Sequence, residues 1–187
     1  MSVDYVIQHA APTLAGIKTG NLFPCFFSSP QAMVRDLRAI NQVLVPRGLR
    51  LLPLRRDNTR VLLYLFRPAA LSRDLSRGEA RRLLRQAGYQ DLAQHACLRE
   101  LKRRLQAGGT FPHEIGLFLG YPLADVVGFM ENGGENCKYT GCWKVYSNVA
   151  EARQRVAQFK LFQSIYAVQF QRVKTLSQLT VPGFPPS

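Results

Sequence analysis

The chain has 187 residues and a mass of 21.1 kDa, enough for a core that needs neither disulfide nor metal. Apolar residues make up 47%, charged residues 20% and aromatics 10%, which excludes an intrinsically disordered chain. Four cysteines without a secreted spacing exclude a disulfide-stapled miniprotein. Lys and Arg outnumber Asp and Glu by 25 to 12, a formal charge of +13, and 17 of the basic residues against 6 acids fall in residues 35–104. Such a region attracts nucleic acid or acidic partners, although no basic run exceeds three residues and no aromatics interleave with the Arg cluster at 99–104.

In chain order, residues 4–18 read as a helix capped by Asp4, with Val6, Ile7, Ala10, Leu14 and Ile17 on one side and a kink or break near Ala11 imposed by Pro12. Residues 30–44 read as a second helix, capped by Ser29 with Pro30 at its first position and an apolar stripe of Met33, Leu37, Ile40 and Leu44. Two apolar runs, 49–55 and 60–66, flank Asp57-Asn58-Thr59, a hairpin signal. Val61–Phe66 is apolar throughout, which predicts a strand covered on both faces. Helices follow over 78–87, ended by Gly88, and 91–107, ended by Gly108-Gly109, with Leu98, Leu101 and Leu105 inward. Two shorter helices span 111–119, capped by Thr110, and 122–131. Residues 137–146 read as a strand. Asn148 with Glu151 three residues on is a capping box for a long helix over 149–174, with Arg172 and Lys174 complementing its dipole. The sum is an α+β fold: a small, mostly antiparallel sheet (hairpin 49–66 plus strand 137–146) covered by helices, a single domain over 1–181, and a disordered tail at 182–187.

Residues 1–10 lack the basic segment of a signal peptide, and no run of 18 uncharged apolar residues occurs. The expectation is a cytoplasmic protein with reduced thiols.

Two segments stand out. The first is His9-Ala10-Ala11-Pro12-Thr13-Leu14-Ala15-Gly16-Ile17-Lys18, with Asn21-Leu22-Phe23 after it. The second is Phe111-Pro112-His113-Glu114-Ile115-Gly116-Leu117-Phe118-Leu119-Gly120-Tyr121-Pro122, continuing through Asp125-Val126-Val127-Gly128-Phe129 to Gly141-Cys142-Trp143-Lys144-Val145-Tyr146. Together they resemble a family of small cytosolic proteins of anaerobic Gram-positive bacteria classed as a domain of unknown function. The resemblance covers nearly the whole chain and carries with it no activity, cofactor or catalytic residue. Its members' neighbourhood of ferrous-iron transport and flavodoxin genes implies a link to iron or redox metabolism.

Four candidate sites follow from the residues themselves. Ile115, Gly116, Leu119, Gly120, Val126 and Phe129 have helix-turn-helix spacing, but the would-be reading helix presents Asp125, Gly128 and Glu131 rather than base-reading donors, so a structural corner is expected. His113-Glu114 with Cys137 and Cys142 suggests a metal site or a Cys–His pair. The five-residue cysteine offset puts the thiols on opposite faces of a strand unless Thr140-Gly141 bends it, and a plain first-turn role for His113 and Glu114 is the default. Trp143 and Val145 share one strand face, whereas Lys144 and Tyr146 share the other, where they suit an anion or an aromatic cofactor such as flavin or haem. Lys18 and Asn21, around Gly16 and Gly20, suit a phosphate without being a P-loop. The resulting expectation is an accessory protein binding a small ligand or protein partner through Lys18, Asn21, His113, Glu114, Lys144 and Tyr146, with no metal and no assigned catalytic residue. The alternatives are an enzyme using His113 as acid/base with a Cys nucleophile or metal, and a nucleic-acid-associated protein using the basic 35–104 region.

Overall fold

The computed structural model describes residues 1–173 and 175–183. Backbone contacts divide the chain into two compact units: Met1–Leu71 together with the chain from Phe162 onward, and Ser72–Leu161.

The first unit is built on a three-stranded antiparallel sheet of order β1-β3-β2, with β1 at Gly20–Phe26, β2 at Arg50–Asp57 and β3 at Arg60–Phe66. The β2–β3 hairpin is the expected one, turning at Asn58-Thr59 with Asn58 at φ +37°. The sheet's third strand is not 137–146 but Gly20–Phe26, which alternation alone did not reveal because Pro24 interrupts it. Pro24 is tolerated since β1 is an edge strand, as is β2, where Pro53 sits at a register shift. The apolar run of β3 is explained by its central place. Val61, Leu63 and Leu65 enter one core, while Tyr64 and Phe66 are buried on the other face with their rings stacked at 4.7 Å.

Helix α1 (Val3–Leu14) and helix α2 (Pro30–Leu44) cover that core face with Val6, Ile7, Ala10, Leu14, Leu37, Ile40 and Leu44. Ser29 caps α2 as expected, accepting from the Ala32 amide at 3.1 Å. The cap of α1 is Ser2 rather than Asp4, the Tyr5 amide donating to its hydroxyl. α1 runs on through Pro12 to Leu14, so the proline does not break the helix near Ala11. Residues 15–18, expected to be helical, instead leave it through Gly16 at φ +80°.

That helix end is closed by a side chain 53 residues away. Arg67, directly after β3 and 7% exposed, donates to the carbonyls of Thr13 at 2.7 Å, Leu14 at 2.8 Å and Val181 at 2.7 Å. The Thr13 and Leu14 carbonyls also accept the Gly16 and Val181 amides, so the guanidinium gives each a second donor and puts a positive charge where the helix dipole favours one. Burial pulls the guanidinium below its usual range, and among the described residues no carboxylate is in the contact. Of the tail, the Gly183 amide donates to the Arg47 carbonyl at 2.9 Å, and 184–187 lie outside the described residues, as does Lys174.

The second unit is mostly helical. It takes in the end of α3 (Pro68–Ser76), which sequence reasoning missed, then α4 (Gly78–Gln86), α5 (Gln94–Ala107), α6 (Ile115–Phe118), α7 (Leu123–Glu131) and the first half of α8 (Val149–Val173). Leu101 and Leu105 are buried in α5 beside Ala96 and Cys97, while Leu98 is only half-buried. The expected strand over 137–146 is a two-stranded ribbon of its own, β4 (Tyr139–Thr140) against β5 (Lys144–Val145), folded back at Gly141-Cys142. The 111–119 helix shrinks to one turn without a Thr110 cap. Asn148 does cap α8, accepting from the Glu151 amide at 3.2 Å, while the Glu151 carboxylate turns to Arg155. No helix among the described residues is long and apolar enough to cross a membrane.

Replacing Arg67 by Met keeps the aliphatic stem but removes three charge-assisted hydrogen bonds, so that Val181 O loses this donor while Thr13 O and Leu14 O keep only the Gly16 and Val181 amides. The expected loss is about 2–4 kcal/mol, read as a lower urea midpoint at unchanged slope. The same change at exposed Arg60 should stay within about 0.5 kcal/mol.

Candidate functional site

The second unit holds a cavity of about 290 Å³, at the small end of the roughly 300–1,000 Å³ that ligand sites occupy. It is made where α6, α7 and the β4–β5 ribbon meet. Gly116 lets α6 and α7 approach: a Cβ there would sit 2.7 Å from Val126 Cγ2. The helix-turn-helix spacing was therefore legible as a close corner, turned by Gly120 at φ +72°. Gly128 does the same against the ribbon's end, its absent Cβ lying 2.6 Å from Tyr146 Cβ and Cγ.

Asp125 holds these pieces together. In the first turn of α7 and 2% exposed, it was expected on the solvent face. Instead its Oδ2 accepts the indole N–H of Trp143 at 2.7 Å. Its Oδ1 accepts the amides of Tyr146 at 2.9 Å and Ser147 at 2.8 Å, and the Ser147 hydroxyl at 2.7 Å. Burial pushes the carboxyl upward, but the Trp143, Ser147 and backbone donors outweigh it and hold the group below the ordinary carboxylate range. Trp143 in turn stacks on Tyr121 at 5.0 Å and 23°, and the Tyr121 hydroxyl donates to the Cys142 carbonyl at 3.2 Å, fixing the ribbon's turn. Burial pushes the Tyr121 phenol up to about 12, so it stays a donor at neutral pH.

The rings of Phe111, Tyr121, Phe129 and Trp143 wall the cavity, with Ile115, Gly116, Val126 and Gly141 between them. Its polar lining is His113, Asp125, Thr140, Cys142 and Lys144. The His113 ring lies 4.9 Å from that of Phe129. Lys144 donates to the Gly134 carbonyl, and Gly134 at φ +83° brings the loop after α7 close to Phe129. Cys142 is exposed and takes part in no disulfide.

Of the six residues proposed from sequence, His113 and Lys144 line this one cavity. Glu114, their neighbour in sequence, does not. It is 4% exposed and accepts from the Tyr89 hydroxyl at 3.0 Å and from Arg104 at 3.2 Å, with Arg104 also bound to Glu100. That network ties α5 to α6. The Arg103 and Arg104 side chains together draw the Glu100 carboxyl down to about 2. Tyr146 also stays out of the lining, its hydroxyl buried and, among the described residues, without a hydrogen-bond partner. Lys18 and Asn21 belong to the first unit, where Asn21 Oδ1 accepts from the Thr13 hydroxyl at 2.7 Å. Cys137 contacts Thr140 Oγ1 at 3.3 Å. Among the described residues, no three His, Cys, Asp or Glu side chains group as metal ligands. Sequence reasoning missed Phe111, Tyr121, Asp125 and Phe129 as site residues. One signal was present: a lone tryptophan needs an acceptor when buried, and Asp125 is an acid in a mostly apolar stretch.

A small α+β chain with an aromatic-walled cavity in its helical unit is the class these observations define. Residues 6–180 match DUF3793, a family described as protein of unknown function, and the chain belongs to it. No curated protein and no solved structure matches the chain.

Asp125→Asn should cost about 2–3 kcal/mol, because an amide cannot accept from all four donors and its own N–H₂ faces one of them. A carboxyl held low in the folded state stabilises fully above its unfolded value of about 3.9 and loses that contribution as pH falls through the folded one. Wild type and variant should therefore differ most near neutrality and converge in acid when unfolding midpoints are followed against pH.

Proposed function

We propose that this protein binds a small organic ligand in the cavity between α6, α7 and the β4–β5 ribbon, as a cytosolic accessory protein. One observation carries the reading. Every lining residue except Thr140 comes from the two stretches, 111–129 and 141–146, that carry the family resemblance, although 11 residues separate them in the chain. A sequence spends glycines at 116 and 128, and a buried carboxylate at 125, on holding those stretches around an opening rather than closing it. The size suits one or two fused rings and is small for a haem or a whole flavin nucleotide. The basic 35–104 region supports a nucleic-acid role less well: Arg67 is buried in the first unit, and Arg103 and Arg104 are bound to Glu100.

The test is ligand-observed NMR with a set of one- and two-ring fragments. Binding to wild type is expected, and Cys142→Phe, which fills the cavity from an exposed position, should abolish it while leaving stability within about 0.5 kcal/mol. No binding by any fragment, or equal binding by the variant, would sink the reading.

A second reading, thiol chemistry with His113 as base, is favoured by the shared cavity wall of His113 and Cys142. It requires iodoacetamide to label Cys142 about tenfold faster in wild type than in His113→Gln; equal rates would remove it.

A further inference from the structure

The polar groups of the cavity wall have a sign. Its one carboxylate, Asp125, receives four protein donors, so its acceptors are turned to Trp143, Tyr146 and Ser147 rather than left for a ligand. Its donors are differently placed. Lys144 spends one N–H on the Gly134 carbonyl, which anchors the ammonium at the wall, and has two N–H groups left. Among the described residues no carboxylate lies within ion-pair reach of Lys144. The His113 imidazole, packed against Phe129, likewise makes no protein hydrogen bond with either ring nitrogen among the described residues. An apolar cavity with unspent cationic and N–H donors beside ring walls complements a molecule with a flat apolar body and one anionic end. Ring faces favour a planar aromatic body through stacking and edge contacts, and a charge-assisted hydrogen bond favours a carboxylate over its neutral isostere.

We propose that the ligand is a small planar aromatic carboxylate, its ring against Trp143 and Phe129 and its carboxylate on Lys144 and His113. This rests on the reading of the cavity as a ligand site and names the chemistry that reading leaves open. A cation is disfavoured because Asp125 is already saturated with donors, and a larger dianion because Lys144 is the only fixed cation in the lining.

Calorimetric titration with 2-naphthoate, 2-naphthamide and 2-naphthylmethylammonium separates the possibilities. The carboxylate should bind about tenfold or more tighter than the amide, the size of one charged hydrogen bond. Lys144→Met, at an exposed position, should erase that preference while the amide's affinity holds. Cys142→Phe should remove binding of both. Equal affinity for carboxylate and amide, or tightest binding of the ammonium, overturns the carboxylate assignment and leaves the cavity reading standing. Naphthoate binding that survives Cys142→Phe places the anion elsewhere and also overturns it. If other ring fragments bind and naphthoate does not, this inference alone fails; if nothing binds, the cavity reading fails with it.

Discussion

One carboxylate organises the second unit. Asp125 is nearly inaccessible to solvent, yet it remains charged because two backbone amides, a hydroxyl and an indole N–H converge on it. The four donors come from Trp143 in the ribbon's turn and from Tyr146 and Ser147, which follow β5 and lead into α8, so a single side chain on α7 sets where the ribbon lies. A ribbon of two residue pairs has too few ladder bonds to be stable by itself. Its position is borrowed from α7 through Asp125 and from Tyr121 through the Cys142 carbonyl. Without those contacts the cavity would lose one wall.

The rest of the cavity follows from close approach. Gly116 lets α6 and α7, and Gly128 lets α7 and the ribbon's end, come nearer than a larger residue allows, and the rings around them are too large to fill the angles that remain. Trp143 is held at its N–H end by Asp125 and on its face by Tyr121, which leaves it few ways to collapse inward. An opening bounded by tethered rings persists where one bounded by freely rotating aliphatic chains would close. The unused donors of His113 and Lys144 then face a space that already exists.

Much of the fold was legible because it rests on local signals. Ser29-Pro30 and Asn148 mark helix starts by side-chain chemistry alone, and the unbroken apolar run at 61–66 could only be a central strand or a buried helix turn. The α+β class followed. What was not legible depends on partners distant in sequence. Strand Gly20–Phe26 is hidden by Pro24, whose tolerance is a consequence of edge position and not of composition. The ribbon was read as one strand because Gly141-Cys142 reverses it without a standard hairpin signal. Of the residues singled out by type, the structure puts His113 and Lys144 in the lining of one cavity. Glu114 looked equivalent to His113 but points the other way, since adjacent residues at a helix start face different directions and Tyr89 and Arg104 supply partners for it. Asp125 was read as exposed because helical periodicity cannot show that a ribbon 20 residues later covers it.

The place of Trp143 has an optical consequence. It is the chain's one tryptophan, so nearly all fluorescence excited at the red edge of protein absorption arises from the cavity wall. Its N–H sits on a carboxylate and its face on a phenol ring, both of which set the colour and yield of its emission. The chain thus carries an intrinsic lamp in one unit and none in the other. Events at the ribbon will be bright, whereas opening of the sheet around β3 will be dark to the same instrument and visible only through its tyrosines or its backbone.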